Sequence, residues 1–290
     1  ANSSILGLLI PPSVTMIVYG WVTDTSILAC FLATLGPGLL VTFNFAAINM
    51  FMARKFPLVL DDKPSLPEMF KKASSQTFNA VPALLMPVII LGGIYGGIMT
   101  PTEAAAIGVA GALVLAAFTG SLSRHSFMDS LLGAVKSSCM IGFILVGAHF
   151  LTLAMGFLGI PKALALWISG MSLSPMELIL YLTVLFVILG CFLDGISVVV
   201  LTVAVILPMV QAANIDLLWF GIFIVLVVEM SQITPPVGFN LFVIQALTGK
   251  NILYVAKAAL PFFLLIGVAI LLISIFPEIV TFLPTTMSQN

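Results

Sequence analysis

The chain has 290 residues, of which 61% are hydrophobic and 7% charged, with a mean hydropathy of +1.25 and a formal net charge of −1. A soluble domain carries roughly 25% charged residues, so a chain this poor in charge could not keep its apolar surface from water, and lipid is the solvent for much of it. The near-neutral balance also excludes the basic field that nucleic acid would require.

A helix needs about 20 apolar residues to cross the hydrocarbon core. In chain order the candidate spans are Ile5–Val22, Ile27–Met52, Phe78–Met99, Glu103–Phe118, Ser138–Gly159, Leu178–Phe192, Ile196–Val210, Leu217–Leu247 and Ile252–Phe276. The chain opens on Ala1 and runs straight into apolar sequence without a basic leader or a cleavage pattern, so the first residues of a longer protein are expected to precede it. The first span is interrupted by Pro11-Pro12. The stretch Leu217–Leu247 is too long for one simple helix and is interrupted by Pro235-Pro236. Leu178–Phe192 and Ile196–Val210 are each short for a crossing, and only Leu193-Asp194-Gly195 separates them.

The longest polar stretch, Ala53–Thr77, carries Arg54, Lys55, Lys63, Lys71 and Lys72, half of the ten Lys and Arg in the chain. The positive-inside rule places it in the cytoplasm. Arg124 and Lys136 come two spans later and fall on the same side, which supports Phe78–Met99 and Glu103–Phe118 as separate crossings. Within the loop, Ser65-Leu66-Pro67-Glu68 reads as a helix start. The segment through Phe70, Lys71 and Lys72 is either a helix lying along the membrane surface or a solvated linker. Thr100-Pro101-Thr102-Glu103 reads as another helix start, with an acid in the first turn. Gly92-Gly93 and Gly96-Gly97 point to close packing or an irregular turn. His149, alone in an apolar stretch, reads as an interhelical polar residue. Cys30, Cys139 and Cys191 lie in apolar stretches without a CxxC pair and read as small buried hydrophobes.

The two Pro-Pro pairs occupy corresponding places in an internal repeat. Gly7-Leu8-Leu9-Ile10-Pro11-Pro12 aligns with Ser231-Gln232-Ile233-Thr234-Pro235-Pro236. After each comes an apolar run and a polar turn, Asp24-Thr25-Ser26-Ile27-Leu28 in one and Gly249-Lys250-Asn251-Ile252-Leu253 in the other. Paired interrupted helices in two halves are the best sequence pointer to the binding site of a secondary transporter. Proline lacks an N–H and clashes with the carbonyl four residues earlier, so these prolines release the carbonyls of Gly7, Leu8, Ser231 and Gln232. They also push Ile10 and Thr234 out of the α region. Unsatisfied carbonyls do not survive in hydrocarbon unless protein, water or an ion satisfies them. At the negative end of a half-helix they suit a hard cation such as Na⁺, and the hydroxyls of Ser231 and Thr234 add oxygen ligands.

Of the six aspartates, Asp194 alone is closely flanked by apolar sequence on both sides. With Gly195 and Ser197 it suits the tip of a re-entrant hairpin, whose second arm would present free N–H groups to an anionic substrate. Asp194 either caps that arm or helps to bind a cation, and an intramembrane carboxylate is a functional candidate because its charge is expensive to bury. Glu229, one turn before the second break, either neutralises a bound cation or pairs with polar groups between helices.

Together these segments resemble the large membrane subunit of TRAP transporters, the tripartite ATP-independent periplasmic carriers. The resemblance rests on Gly7-Leu8-Leu9-Ile10-Pro11-Pro12-Ser13, Pro82-Ala83-Leu84-Leu85-Met86-Pro87, Gly92-Gly93-Ile94-Tyr95 leading into Thr100-Pro101-Thr102-Glu103-Ala104-Ala105, Phe192-Leu193-Asp194, and Thr234-Pro235-Pro236-Val237-Gly238-Phe239-Asn240-Leu241-Phe242. It implies an all-α, polytopic, elevator-type transporter of the bacterial inner membrane, with inverted repeats, a re-entrant hairpin and unwound helices. By matching motif it implies one sodium site at Gly7, Ile10 and Pro12 and a second at Ser231, Thr234 and Pro236, near the hairpin tip at Asp194. It implies Na⁺ as the coupling ion, a periplasmic binding protein that delivers the substrate, a small Q-type membrane subunit, and substrates that are small organic acids such as dicarboxylates or sialic acids. On this reading residues 1–52 are the end of a first repeat, 53–77 a cytoplasmic linker, 78–177 the scaffold-type spans of a second repeat, and 178–290 its transport part. The scaffold helices and first hairpin that precede the first Pro-Pro helix in the family are not in this sequence, and Ser231 stands where the family often has glycine.

Other classes fit less well. An intramembrane aspartyl protease needs two carboxylates sharing a proton, and no second aspartate lies in a candidate span. An ATP-driven pump would carry GxxxxGK[ST], which is absent from this sequence. A channel or a non-transporting scaffold subunit is the remaining alternative to a carrier.

Overall fold

The computed structural model describes residues 7–55, 85–171, 173–235 and 238–287. The described residues form helices and contain no strand, as a chain that must satisfy its backbone inside lipid requires. The helices are α1 (Val14–Thr23), α2 (Ile27–Lys55), α3 (Leu85–Tyr95), α4 (Pro101–Phe118), α5 (Arg124–Phe157), α6 (Ile160–Gly170), α7 (Pro175–Gly190), α8 (Gly195–Ala212), α9 (Leu217–Gln232), α10 (Phe239–Thr248), α11 (Ile252–Ile275) and α12 (Glu278–Met287). Four of them, α2, α4, α5 and α11, are long and apolar enough to cross a membrane, and α8 qualifies as a pair bent by 62° at Ala204. That bend lies four residues before Pro208, the position whose carbonyl a proline displaces.

The chain divides into two compact units, Asn49–Cys139 and Ala1–Ile48 with Met140–Asn290. In the first, α3 lies close along α4: a Cβ on Gly108 would sit 3.1 Å from Ile90 Cδ1, and one on Gly111 would run into Met86. The turn between them passes through Gly97 at φ +67°, and a capping box starts α4: Thr100 Oγ1 accepts from Glu103 N at 3.3 Å, and Glu103 Oε2 accepts from Thr100 N at 2.8 Å. Val109, Phe118, Leu131 and Leu132 are exposed, an apolar surface that only lipid or protein can cover.

The second unit is built around α9. Its sequence is apolar all round as far as Val228, and every residue from Trp219 to Gln232 is buried. Helices α1, α7, α8, α10, α11 and α12 pack on it. Trp219 stacks on Phe223 with ring centroids 5.5 Å apart, Phe186 meets Phe223 edge-on, and Trp219 Nε1 donates to Ile273 O at 2.8 Å. Tyr19 of α1 donates its hydroxyl to Leu217 O at 2.5 Å while its ring fills the space left open by Gly221.

Both Pro-Pro interruptions are breaks in the structure. Helix α1 begins only at Val14, after an irregular 10–13 segment, and α9 ends at Gln232, with α10 restarting at Phe239. The hairpin is present as α7, a turn at 191–194, and α8. Three features differ from the hydropathy reading. Helix α5 starts at Arg124 rather than Ser138, capped by Ser123, whose hydroxyl accepts from Ser126 N at 3.0 Å. Helices α6 and α12 are too short for a span-length window. A window of apolar composition finds membrane depth, whereas helices continue through polar residues beyond it. The expected helix start at Ser65–Glu68, most of the basic loop and residues 78–84 lie outside the described residues.

Candidate cation and substrate site

The second unit brings together the hairpin tip and both breaks. Gly195 is the meeting point: a Cβ there would lie 2.9 Å from Gln232 Nε2, 3.2 Å from Leu8 Cδ1 and 3.3 Å from Val228 Cγ1. Gly190, at the end of the first hairpin arm, touches Ser231, with a Cβ placed 2.7 Å from Ser231 Cβ. The tip is also tied to the second break through its backbone, since Gly238 N donates to Cys191 O at 3.2 Å and Cys191 Sγ reaches Pro235 O at 3.6 Å. Small residues at 190 and 195 are what let the arms approach this closely.

The carbonyls released by the prolines are only partly taken up inside the chain. Leu8 O accepts from the Ser13 hydroxyl, and Ser231 O accepts from Thr234 N at 2.9 Å. Each carbonyl has a second lone pair. The hydroxyls of Ser231 and Thr234 donate to Val228 O at 2.5 Å and Met230 O at 2.9 Å, which spends their protons on the helix and leaves oxygen lone pairs for a cation. Ser231 is buried, Thr234 half-buried, and Pro236 lies outside the described residues. At the first break, Leu9 and Pro11 are buried whereas Gly7, Ile10 and Pro12 are exposed.

Asp194 is the N-cap of α8. Its Oδ2 accepts from Ile196 N and Ser197 N, each at 3.2 Å, and its Oδ1 accepts from the Ser197 hydroxyl. The N–H groups of that arm's first turn are therefore engaged by the chain's own carboxylate, which is half-buried at the tip with Gly195 and Ser197 buried beside it. The carboxylate, hydroxyl and carbonyl oxygens around the tip and breaks suit a hard cation. Among the described residues no group of three or more His, Cys, Asp or Glu is placed to hold a softer metal. His149 is exposed on α5 and lines a cleft of about 540 Å³ with Trp21 and Asp24 at the end of α1 and Val200 and Pro208 of α8.

Sequence reasoning gave no site role to Gly190 and Cys191, which seat the tip against the second break, and noted Gln232 only for its carbonyl, whereas its side-chain amide meets Gly195. Their signal was only adjacency to the break and to the hairpin turn, because a contact between residues some forty positions apart leaves no local pattern.

The family model for the tripartite ATP-independent periplasmic transporter, DctM component, matches residues 1–279. The chain is 33% identical over 290 residues to the C4-dicarboxylate TRAP transporter large permease protein of Pseudomonas aeruginosa, covering all of this chain and 67% of that protein. It is 29% identical over 289 residues to the sialic acid TRAP transporter permease protein of Haemophilus influenzae, covering 99% of this chain and 46% of that protein. It is 36% identical over 289 residues to the ectoine/5-hydroxyectoine TRAP transporter large permease protein of Ruegeria pomeroyi, covering 97% and 65%. The chain thus spans between about half and two thirds of the length of these relatives. A full-length family match, together with motifs that fold into one junction of hairpin tip and broken helices, places this chain in the DctM family of TRAP transporter large permease components.

Proposed function

We propose that this chain is the membrane-embedded core of a sodium-driven secondary transporter that carries small organic acids across the bacterial inner membrane. In this reading a periplasmic binding protein delivers the substrate and a small Q-type membrane subunit accompanies the large one. The observation that carries it is the junction at Gly195, where the hairpin tip meets Leu8 of the first break and Gln232 of the second. Backbone oxygens released from two half-helices, with the hydroxyls of Ser231 and Thr234, form the kind of site that replaces the hydration shell of Na⁺. Two relatives are named for C4-dicarboxylate and sialic acid, which supports an organic acid as the substrate here.

The residues have separable roles. Gly7, Ile10 and Pro12 offer carbonyl oxygens to one sodium ion, and Ser231, Thr234 and Pro236 hold a second. Asp194 fixes the start of α8 and with Gly195 and Ser197 shapes the tip that faces substrate. Bound Na⁺ supplies positive charge that offsets the substrate carboxylate. An inward sodium movement is energetically sufficient, since one charge crossing 100 mV contributes about 2.3 kcal/mol.

The experiment is uptake of radiolabelled organic acids into proteoliposomes holding the complete transporter and its binding protein. An imposed sodium gradient is compared with a potassium control. Uptake that requires sodium, saturates, and is lost in Asp194→Ala is the expected result. Uptake indifferent to sodium would sink the reading and favour a channel or another coupling ion.

A further inference from the structure

Glu229 has no role in the sites above, and its surroundings are unusual. It is 1% exposed, and among the described residues neither Oε1 nor Oε2 has a side-chain hydrogen-bond partner. The backbone N–H of Leu8 lies beside the carboxyl. No basic side chain among the described residues forms an ion pair with it: the lysines of this unit, Lys162, Lys250 and Lys257, and its one histidine, His149, are all exposed. Asp194 is tied to its own cap.

Its position is informative. Glu229 and Gln232 are three residues apart and share one face of α9. Gln232 on that face meets Gly195 beside Leu8, and Val228 meets the same glycine. Glu229 therefore belongs to the second repeat's broken helix but looks onto the first repeat's break, next to the residue whose carbonyl Pro12 releases. A buried carboxylate without a cationic partner among the described residues is costly, so the group is either protonated or accompanied by a cation, and the oxygen-rich break beside it favours the cation.

We propose that Glu229 is the counter-charge of a sodium ion held at the first break, so that one repeat's helix supplies the charge and the other's backbone supplies neutral oxygens. This rests on the sodium-coupled reading above. Contact across the repeats makes each break a determinant of the other's affinity, which gives the two sites a direct means of coupling.

The test is sodium binding rather than transport. The purified full-length complex, without substrate, is titrated with ²²Na⁺ for stoichiometry, and its thermal unfolding is followed against sodium with potassium as the ionic-strength control. Glu229→Gln keeps the side chain's size and removes its charge, and is expected to bind one sodium fewer per transporter, with any residual binding there at least tenfold weaker. Glu229→Asp keeps the charge one methylene further back and is expected to retain the ion with severalfold weaker affinity. If Glu229→Gln does not fold, an unchanged sodium affinity in Glu229→Asp overturns the proposal by itself. Unchanged stoichiometry and affinity in Glu229→Gln also overturns it, as does sodium binding that stays intact while only the pH dependence of uptake changes, since that would make the carboxyl a proton carrier. Wild-type complex that binds no sodium would fail the coupled reading itself, a result distinct from these.

Discussion

At the scale of single residues, two contacts decide how the tip is held. Asp194 accepts from Ile196 N, Ser197 N and the Ser197 hydroxyl, so its geometry and its charge are separable by substitution. Asp194→Asn keeps an oxygen acceptor for the cap, and thermal unfolding in detergent is expected to stay close to wild type. Asp194→Ala loses the cap and about 1 kcal/mol of stability. If the charge serves the ion or the substrate, both variants lose sodium-driven uptake; if only the cap matters, the asparagine variant transports. Gly190 packs directly on Ser231, leaving no room for a Cβ. Gly190→Ala is expected to cost about 1–3 kcal/mol through overpacking. Adding Ser231→Gly removes the obstructing side chain, so the double variant is expected to recover most of that loss, and a thermal double-mutant cycle reads the coupling.

At the scale of elements, caps and close helix approaches set where each helix begins and what it can touch. Thr100-Pro101-Thr102-Glu103 forms the expected capping box, and Ser174-Pro175-Met176-Glu177 forms a second with the same spacing, Glu177 Oε2 accepting from Ser174 N at 2.7 Å. Ser174→Ala is expected to lower stability by about 1 kcal/mol and to leave sodium affinity unchanged, because the box starts the hairpin's first arm far along α7 from its tip. Helix α12 approaches α2 so closely that a Cβ on Gly36 would run into the Ile279 carbonyl. A backbone atom cannot rotate away, so Gly36→Ala has to part the two helices, and its destabilisation in a thermal scan is expected to exceed that of Ser174→Ala.

At the scale of the whole molecule, the site is a meeting of distant segments, so ligand binding and folding stability are linked. On the sodium-coupled reading proposed above, each ion binds only the folded arrangement of its break and the tip. Raising sodium to 100 times its dissociation constant is then expected to add about 2.7 kcal/mol per site to the unfolding free energy, with potassium giving no such shift. Much of the architecture was legible beforehand, for local reasons. Charge-poor composition required lipid, each Pro-Pro pair had to break its helix, and Asp194 between two short apolar runs marked the hairpin tip, with capping as one of its two readings. Helix starts at polar residues were legible only where a capping box marked them, so Thr100 was found while Ser123 and Ser174 were not. The sequence by itself determined the membrane setting, the two breaks, the hairpin and the family, because each comes from the periodicity, missing N–H groups or motifs of a continuous stretch. Only the tertiary structure decided that Leu8, Gly195 and Gln232 converge, that Gly190 seats Ser231, and that Glu229 is buried beside Leu8 without a cationic partner among the described residues. Those are packing relations between segments as far apart as residues 8 and 232, fixed by which small side chains let backbones approach, and no local pattern encodes them.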